Sequence, residues 1–491
     1  MNYFGRCLAM ASLVLTLSDP VWSQAPGPAE LKSCRVPGIK NEVQCGVLPR
    51  ALDPAQPSGV KIDIHYVVVP ALARRKLPDP VFVLAGGPGQ SAIAVAPMVA
   101  QQMSRLSNRR DLVFVDQRGT GKSAPLMCAE DRTDSLAQQI DPQRRDVMQR
   151  QCLAELQKLP YGDLRFFTTT LAMQDVDAVR QALGAAQVNL VGASYGTRAA
   201  LEYMRQFPQA VRRSVMDGVA PPDMLLPVSV SADNQAAFDA LLVACERDQT
   251  CQRSYPNLRA DWAAVLRRMP QDVVVVHPLT GELQPVRLTR AAVLGAVRGP
   301  LYAPSMAAAL PYAVQQAAQG RFEALLGLST MLSGRGPNRL ALGMHLSVVC
   351  AEDQPRPGAP PLAPGADFGE AFADVYLRAC AYWPRGEVPP AFYTVPSSPA
   401  PVLVLSGGLD PVTPAHHGAR IALALGGKAK HVVVPNAGHG VMGLPCMRDV
   451  LFRFINAPED AAALAVEASC ATDIPRPSAF LPVRSAQRGT P

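Results

Sequence analysis

The sequence predicts an α/β protein in which a mostly parallel, doubly wound sheet carries an inserted, mainly helical cap. Short apolar segments alternate with helical patterns over 60–216, as in folds whose parallel strands are joined by helices. The alternation stops after Pro221-Pro222, becomes mainly helical over 223–397, and resumes at Pro401. With 491 residues, 48% of them hydrophobic and 18% charged, the chain suits a globular core with an insertion.

Apolar runs locate the strands of the predicted sheet. Residues 60–70 alternate in polarity and predict an early antiparallel strand, whereas 81–84 and 112–115 are continuous apolar runs typical of buried strands. Further strands are predicted at 188–191, 211–216, 402–405 and 431–435.

Periodic apolar residues locate helices around this sheet. They recur at spacings of four, three and four over 172–183, which predicts an amphipathic helix that ends at Gly184. A second helical pattern ends before Pro208, and a third is expected near 447–456.

The first 25 residues have the features of a cleavable signal peptide, with Arg6 before an apolar run at 8–17 and small residues near the exit. A membrane anchor is the weaker alternative, because the run is about half a bilayer-spanning helix. We therefore expect export to the periplasm or the medium, without stable membrane insertion. The predicted division is a signal peptide at 1–25, the N-terminal part of the core at 26–222, the cap at 223–397 and the C-terminal part of the core at 398–491.

Cysteines support an oxidising compartment. Removal of the signal peptide takes away Cys7 and leaves ten cysteines, an even number that in an exported protein suggests disulfides. Free buried cysteines or a zinc site are less favoured, because no Cys-x-x-Cys or Cys/His cluster has ligand spacing. Since the ten fall into five close neighbours, we expect the pairs Cys34–Cys45, Cys128–Cys152, Cys245–Cys251, Cys350–Cys380 and Cys446–Cys470.

Several partner classes are disfavoured. The net charge of +7 is spread along the chain without a basic run interleaved with aromatics, so we expect no nucleic-acid partner. The segment 87–92 fits only a loose dinucleotide pattern, and Gly121-Lys122-Ser123 lacks the first glycine of a phosphate loop, because Asp116 stands there. We expect no cofactor and no metal, and the sequence does not indicate an oligomeric state.

A nucleophilic serine is predicted where a buried strand meets a helix. Gly192-x-Ser194-x-Gly196 is the pattern of a nucleophile elbow, in which a tight turn lifts a serine hydroxyl above the sheet and glycines avoid collisions with neighbouring backbone. In this setting the pattern indicates the α/β-hydrolase fold. A structural serine in a glycine-rich turn is the alternative.

A serine hydroxyl needs a base, and the base needs an orienting carboxylate. In this fold they follow in the order Ser, acid, His. Asp410 follows the strand at 402–405 through Ser406-Gly407-Gly408-Leu409, and His439 follows the strand at 431–435, so both are expected beside the elbow. Asp217, just after an earlier strand, is the chief alternative acid.

An anionic intermediate needs two backbone N–H donors. Tyr195, the residue after the nucleophile, is expected to supply one, and Gly87 in the Gly86-Gly87-Pro88-Gly89 loop the other. A simple tight turn is the alternative for that loop. Asp116 and Arg118 are predicted to form a hydrogen-bonded pair that braces the oxyanion and elbow loops, with a solvated turn as the alternative.

Five segments together resemble peptidase family S33, the proline iminopeptidase and tripeptidyl aminopeptidase group: GGPG at 86–89, DQRGTGKS at 116–123, GASYG at 192–196, GGLDPVTP at 407–414 and NAGHG at 436–440. The resemblance is greatest to the secreted tripeptidyl aminopeptidase branch with its TAP-like C-terminal region. It implies hydrolysis from a free peptide N-terminus, with the amine bound by the cap. Ala85 departs from the pattern, because iminopeptidases usually carry His there.

The resemblance also suggests roles for residues outside the triad. Thr413 matches a threonine of the branch that would hydrogen-bond near Asp410, although it equally suits a turn. Glu352 and Asp353 follow Cys350 as in the branch, and a carboxylate there would pair with a substrate ammonium; a solvated acidic turn is the alternative.

Three functions are therefore weighed. The first is an aminopeptidase that releases proline or short peptides from free N-termini, the second a carboxylesterase with the same triad, and the third a noncatalytic binding protein. The intact triad argues against the third. The core does not separate the first two, because both pass through an acyl-enzyme on Ser194 and differ in the peptide or ester that the cap admits. We expect the aminopeptidase and keep the carboxylesterase as the alternative.

Overall fold

The computed structural model describes residues 30–129, 134–330, 339–353, 363–370 and 372–482. The predicted signal peptide at 1–25 lies outside the described residues. No helix within those ranges combines the length and the apolar character that crossing a bilayer requires.

The described residues form strands and α-helices in alternation. The strands are β1 (Lys32–Cys34), β2 (Val43–Ala51), β3 (Lys61–Val69), β4 (Val81–Leu84), β5 (Leu112–Val115), β6 (Val188–Ala193), β7 (Val211–Asp217), β8 (Gln271–Val276), β9 (Leu283–Leu288), β10 (Val402–Gly407) and β11 (Ala429–Val434). The helices are α1 (Ala92–Gln102), α2 (Ser104–Ser107), α3 (Leu136–Ile140), α4 (Pro142–Leu156), α5 (Thr169–Ala182), α6 (Tyr195–Gln206), α7 (Leu226–Arg247), α8 (Gln249–Ser254), α9 (Leu258–Arg267), α10 (Arg290–Leu301), α11 (Pro304–Ala307), α12 (Leu310–Ala318), α13 (Glu323–Thr330), α14 (Leu342–Glu352), α15 (Ala373–Cys380), α16 (Ala415–Leu425), α17 (Pro445–Asn456) and α18 (Asp460–Leu464).

Nine strands form one sheet in the order β1-β2-β3-β5-β4-β6-β7-β10-β11. Six neighbouring strands run parallel, namely β5, β4, β6, β7, β10 and β11. At one edge β1, β2 and β3 add antiparallel pairings. Because parallel strands end at the same edge of a sheet, the loops after β4, β6, β7, β10 and β11 meet there. The predicted α/β fold with a mostly parallel sheet is confirmed.

Helices cover both faces of the sheet, so its central strands are buried on both sides. Val176 of α5 and Tyr203 of α6 pack into the core on one face. Val95 of α1 and Phe454 of α17 pack into the core on the other. This explains why those strands read as continuous apolar runs.

The segment 223–397, which we call the cap, has its own apolar core, with Phe238, Trp262 and Phe322 among its buried residues. It is mainly helical, but β8 and β9 also pair as an antiparallel hairpin that the sequence analysis did not anticipate. Both strands are largely exposed and alternate only partly with buried positions, so the apolar run at 273–276 did not stand out as a strand.

The C-terminal segment crosses from the core onto the cap. Phe480 N donates to Ala308 O at 2.8 Å, and the Tyr255 hydroxyl donates to Phe480 O. The Phe480 ring also packs edge-on against Tyr312, with centroids 5.3 Å apart. The C-terminal segment therefore contacts the cap at a place separate from the two junctions of the insertion.

Five disulfides connect cysteines close in sequence. The predicted pairs are all bonded, with Cα atoms 5.0–6.2 Å apart, and each closes a loop of 6 to 30 residues. Two of them lie in the cap, where Cys350–Cys380 joins α14 to α15.

Candidate active site

Ser194 lies in the sharp turn between β6 and α6. Its φ is +55°, a left-handed conformation that is strained for a residue other than glycine. A Cβ at Gly192 would lie 2.3 Å from Gly196 O, and one at Gly196 would lie 2.1 Å from Leu84 O. The glycines therefore permit the close packing of the turn, and a 2.8 Å hydrogen bond from Ser194 N to Asp217 O fixes it.

The loops after β10 and β11 bring Asp410 and His439 together. His439 Nδ1 lies 2.8 Å from Asp410 Oδ2. Thr413 supports the carboxylate, because its hydroxyl donates to Oδ2 at 2.8 Å and its N–H donates to Oδ1 at 2.9 Å. With Nδ1–H donating to Asp410, the lone pair of His439 Nε2 is left for a second partner.

Burial and charge oppose each other in this pair. Burial disfavours the charged form of His439, but the Asp410 carboxylate, by charge and hydrogen bond, together with Asp217 raises the pKa of His439 above its usual range. Burial likewise disfavours the charged form of Asp410, but His439 and backbone N–H donors hold its pKa below the ordinary value. The site thus favours an ionised acid beside a strengthened base.

Asp217, the alternative acid, has another role in the structure. Its carboxylate accepts hydrogen bonds from Val441 N and Met442 N at 2.8–2.9 Å. Burial raises its pKa, and these donors oppose the rise. Asp217 therefore holds the loop that follows His439, whereas Asp410 is the hydrogen-bonded partner of the imidazole.

The glycine loop after β4 lies beside the elbow, where a Cβ at Gly86 would be 3.2 Å from Ser194 Cβ. Gly87 has φ +111°, a conformation natural to glycine. Tyr195 is the first residue of α6, so its N–H has no acceptor within the helix. The two predicted oxyanion donors are thus placed on adjoining segments around Ser194.

One cavity of about 540 Å³ contains these groups. Ser194, His439 and Gly87 line it together with the cap residues Arg298 and Tyr376. Within the described residues, no hydrogen bond joins Ser194 Oγ to His439. In proteins without bound substrate such contacts are often long, and they tighten on binding.

The predicted pairing of Asp116 with Arg118 is wrong. Asp116 accepts from Ser91 Oγ at 2.6 Å and from Ile93 N at 3.1 Å, and so ties the start of α1 to the loop that follows β5. Arg118 instead forms a two-pronged ion pair with Asp175, at 2.7 and 3.0 Å. Both side chains are buried. Each is bonded to these other partners, and the two do not pair with each other.

The structure also contradicts the predicted binding of a substrate amine by Glu352 and Asp353. Neither lines the cavity, and both are buried. Asp353 pairs with Arg198 Nη1 at 2.9 Å, and Glu352 Oε2 lies 3.8 Å from the same atom. Glu352 also accepts from Thr169 N at 2.7 Å. These carboxylates join α14 to the elbow helix α6, and the alternative of a solvated turn is wrong as well.

Two family models match the chain. Residues 79–242 match the model of the alpha/beta hydrolase fold, and residues 364–465 match that of TAP-like proteins. The chain has the α/β-hydrolase fold. The TAP-like match begins in the cap and includes both Asp410 and His439.

Known relatives of this α/β-hydrolase-fold chain carry the names of different hydrolases. It is 27% identical to "Serine protease Hip1" of Mycobacterium tuberculosis strain H37Rv over 86% of each chain. It is 28% identical to "Carboxylesterase B" of strain CDC 1551, over 86% of this chain and 88% of the relative. It is 27% identical to "Tripeptidyl aminopeptidase" of Streptomyces lividans over 41% of this chain and 40% of the relative. The comparisons support a hydrolase.

The cap contributes residues to the cavity that the sequence analysis missed. His345 Nδ1 lies 3.0 Å from Pro88 O, and His345 Nε2 lies 2.9 Å from the Tyr376 hydroxyl. Burial lowers the pKa of His345, so Nδ1–H donates to the glycine loop and Nε2 accepts. Arg298 and Tyr302 are four residues apart, so the sequence predicts that they lie on the same face of a helix. It does not indicate that this face contacts the core.

One group within the described ranges has the composition of a metal site. Asp233, His416 and His417 place their ligand atoms within 4.8 Å of one another. None of the three lines the catalytic cavity. His417 Nε2 lies 3.3 Å from Asp233 Oδ2, so a hydrogen bond links α7 to α16 at this group.

Proposed function

We propose that this chain is an exported serine hydrolase in which Ser194 is the nucleophile, His439 the general base and Asp410 the acid that orients it. The observation that carries the proposal is the position of His439, which is hydrogen-bonded to Asp410 on one side and exposed to the cavity of the strained Ser194 on the other. The five neighbouring disulfides support export.

In the proposed reaction, His439 Nε2 removes the proton of Ser194 Oγ as that oxygen attacks the substrate carbonyl carbon. The N–H groups of Tyr195 and Gly87 donate hydrogen bonds to the developing oxyanion. His439 then protonates the leaving amine or alcohol, and an acyl group remains on Ser194. Water, deprotonated by His439, releases the acid and regenerates the serine.

Aminopeptidase activity is the first candidate for the substrate class. The relative named tripeptidyl aminopeptidase and the resemblance to peptidase family S33 suggest this activity. The relative named serine protease Hip1, which aligns along 86% of the chain, supports a peptidase. Its weak point is the amine, because the two carboxylates expected to bind it are buried against Arg198.

Carboxylesterase activity is the second candidate. The cavity favours it, because the one carboxylate among its described lining residues is Asp217, whose oxygens already accept from the backbone. The relative named carboxylesterase B aligns over as much of the chain as Hip1 does.

A matched substrate panel separates the two. Peptidyl 4-nitroanilides with a free or acetylated N-terminus are compared with 4-nitrophenyl esters. An aminopeptidase cleaves the free peptide and loses kcat/KM when the amine is acetylated. Equal cleavage of both peptides contradicts exo-specificity, and turnover of esters alone establishes the carboxylesterase.

Variants test the proposed triad on the same panel. Ser194→Ala and His439→Ala are expected to lower kcat by about 10⁴-fold or more on every substrate, because triad members act as a unit. Ser58→Ala, at an exposed turn, is the control and should match the parent. Near-parental activity of folded Ser194→Ala would contradict the mechanism.

A further inference from the structure

Arg298 projects from the cap into the cavity that contains Ser194. The end of α10 docks on the loop of the general base, because Tyr302 O accepts from His439 N at 2.9 Å. Arg298 lies one helical turn earlier, and its Nη2 donates to the Tyr302 hydroxyl at 3.2 Å. Arg298 lines the cavity together with Ser194 and His439.

The Arg298 guanidinium contacts a hydroxyl and aromatic rings. Within the described residues no carboxylate lies at ion-pair distance from it; it contacts the Tyr302 hydroxyl and faces the Phe372 ring at 5.2 Å. Its Nε is buried without a hydrogen-bond partner. By contrast, the buried guanidinium groups of Arg118 and Arg198 are paired with Asp175 and Asp353.

The rest of the cavity does not compensate this charge. The Asp217 carboxylate is engaged by Val441 N and Met442 N. His345 is kept neutral by burial. A partly buried, unpaired guanidinium is costly unless a ligand supplies the anion.

We propose that Arg298 binds a carboxylate of the substrate, so that the site prefers esters or short peptides that carry a negative charge near the scissile bond. The guanidinium has the fork geometry for a carboxylate and is always ionised. The inference rests on the proposed hydrolase function. The carboxylate can belong to the acyl part, as an acidic side chain does, or to the leaving part, as a peptide C-terminus does.

Two matched ester pairs identify the source. Mono-4-nitrophenyl glutarate is compared with 4-nitrophenyl pentanoate for the acyl part, and 4-acetoxybenzoate with its methyl ester for the leaving part, after subtraction of spontaneous hydrolysis. The parent is expected to prefer the anionic member of one pair. In that pair Arg298→Gln should lower the ratio of anionic to neutral kcat/KM by about 10- to 150-fold, the value of one charge-assisted contact.

Charge-conserving and surface variants complete the kinetic test. Arg298→Lys should retain part of the preference, and Arg287→Gln, which removes an exposed charge from the cap hairpin, should leave both rates unchanged. Equal use of both members of both pairs by the parent overturns the inference. So does an Arg298→Gln protein that loses the same factor on anionic and neutral esters, which indicates positioning alone.

A binding measurement separates this inference from the hydrolase proposal. In folded Ser194→Ala protein, calorimetry should find that whichever anionic ester the parent prefers binds at least 10-fold more tightly than its neutral partner, and that Arg298→Gln in the same background removes the difference. Equal binding overturns the role of Arg298 even if Ser194 is catalytic. Failure of a fluorophosphonate to label Ser194 overturns the hydrolase proposal instead.

Discussion

At the scale of single residues, His439 is the group whose environment decides the activity. Asp410 raises the pKa of the imidazole above its ordinary value of 6.5. A general base works only when it is neutral. Activity should therefore be lost as the pH falls through a midpoint above about 6.5.

Removing the carboxylate should move that midpoint. In Asp410→Asn the charge that stabilises the imidazolium is gone, so the acid limb of kcat/KM for 4-nitrophenyl acetate should shift to lower pH, while the rate falls on the order of 10⁴-fold. Profiles from pH 5 to 8 measure both effects. Asp272→Asn, at an exposed position of the cap hairpin, is the control. An unchanged midpoint would show that Asp410 does not set the pKa of His439.

The sequence predicts the positions of some residues of this site but not the contacts of others. Ser194, Asp410 and His439 each follow a strand within a few residues, so the order of strands predicts that they meet. Asp116 and Arg118 are neighbours in sequence, but their partners, Ser91 and Asp175, depend on how α1 and α5 pack. Sequence contains no local signal for that.

At the scale of elements, α14 links the glycine loop at 86–89 to the elbow helix α6. His345 near its start contacts Pro88 O, and Glu352 and Asp353 at its end contact Arg198 of α6. The sequence wrongly predicts that Glu352 and Asp353 bind a substrate amine. A short acidic segment has the same sequence pattern whether it faces solvent, a substrate or a buried arginine.

The buried Glu352 should make stability depend on pH. Burial raises its pKa to about 7, although Arg198 and Thr169 oppose the rise. A raised pKa in the folded state gives stability that is present below the unfolded value near 4.5 and is lost as the pH rises through the folded value. Gln does not titrate. The free energy of unfolding of the parent minus that of Glu352→Gln should therefore fall by a few kcal/mol, about 2 to 4, from pH 5 to pH 8.

Urea unfolding at the two pH values under non-reducing conditions measures this difference. Glu155→Gln, in an exposed pair with Lys158, is the control and should show a constant difference from the parent. A difference between parent and Glu352→Gln that does not change with pH would mean that Glu352 is ionised throughout, held so by Arg198.

At the scale of the whole molecule, the five disulfides should be obligatory for a stable protein. Each neighbour pair constrains the unfolded chain by about 2 to 4 kcal/mol. Protein exported to an oxidising compartment should yield five short-range links and no free thiol on peptide mapping, and protein made in a reducing cytoplasm should be less stable. A long-range link such as Cys34–Cys470 would contradict the structure.

Pairwise removal distinguishes the roles of these bonds. Replacing Cys350 and Cys380 by Ala should lower activity as well as stability, because α14 and α15 carry His345 and Tyr376 at the cavity. Replacing Cys34 and Cys45, at the sheet edge, is the matched control and should lower stability alone.

The core was predictable as a whole and the cap was not. Alternation of strand and helix is a repeated, local signal, and it located β3 to β7, β10 and β11. It missed β1 and β2 at one side of the sheet, and in β2 the residues Gly46 and Pro49 interrupt a strand that has much exposed surface. In the cap, the hairpin strands are largely exposed and alternate only partly, and the place of Arg298 at the cavity depends on the contact of α10 with the distant loop of His439.

The course of the C-terminal segment limits how the active site can open. The cap joins the core at the two ends of its insertion and contacts it through α10 and α14, and the contacts of Phe480 with Ala308, Tyr255 and Tyr312 add a further attachment. A cap that is attached at several separated points does not rotate as one body about a single hinge axis. We therefore expect substrates to enter through a local gap between cap segments, and we expect the width of that gap to limit the size of the molecules that the proposed hydrolase accepts.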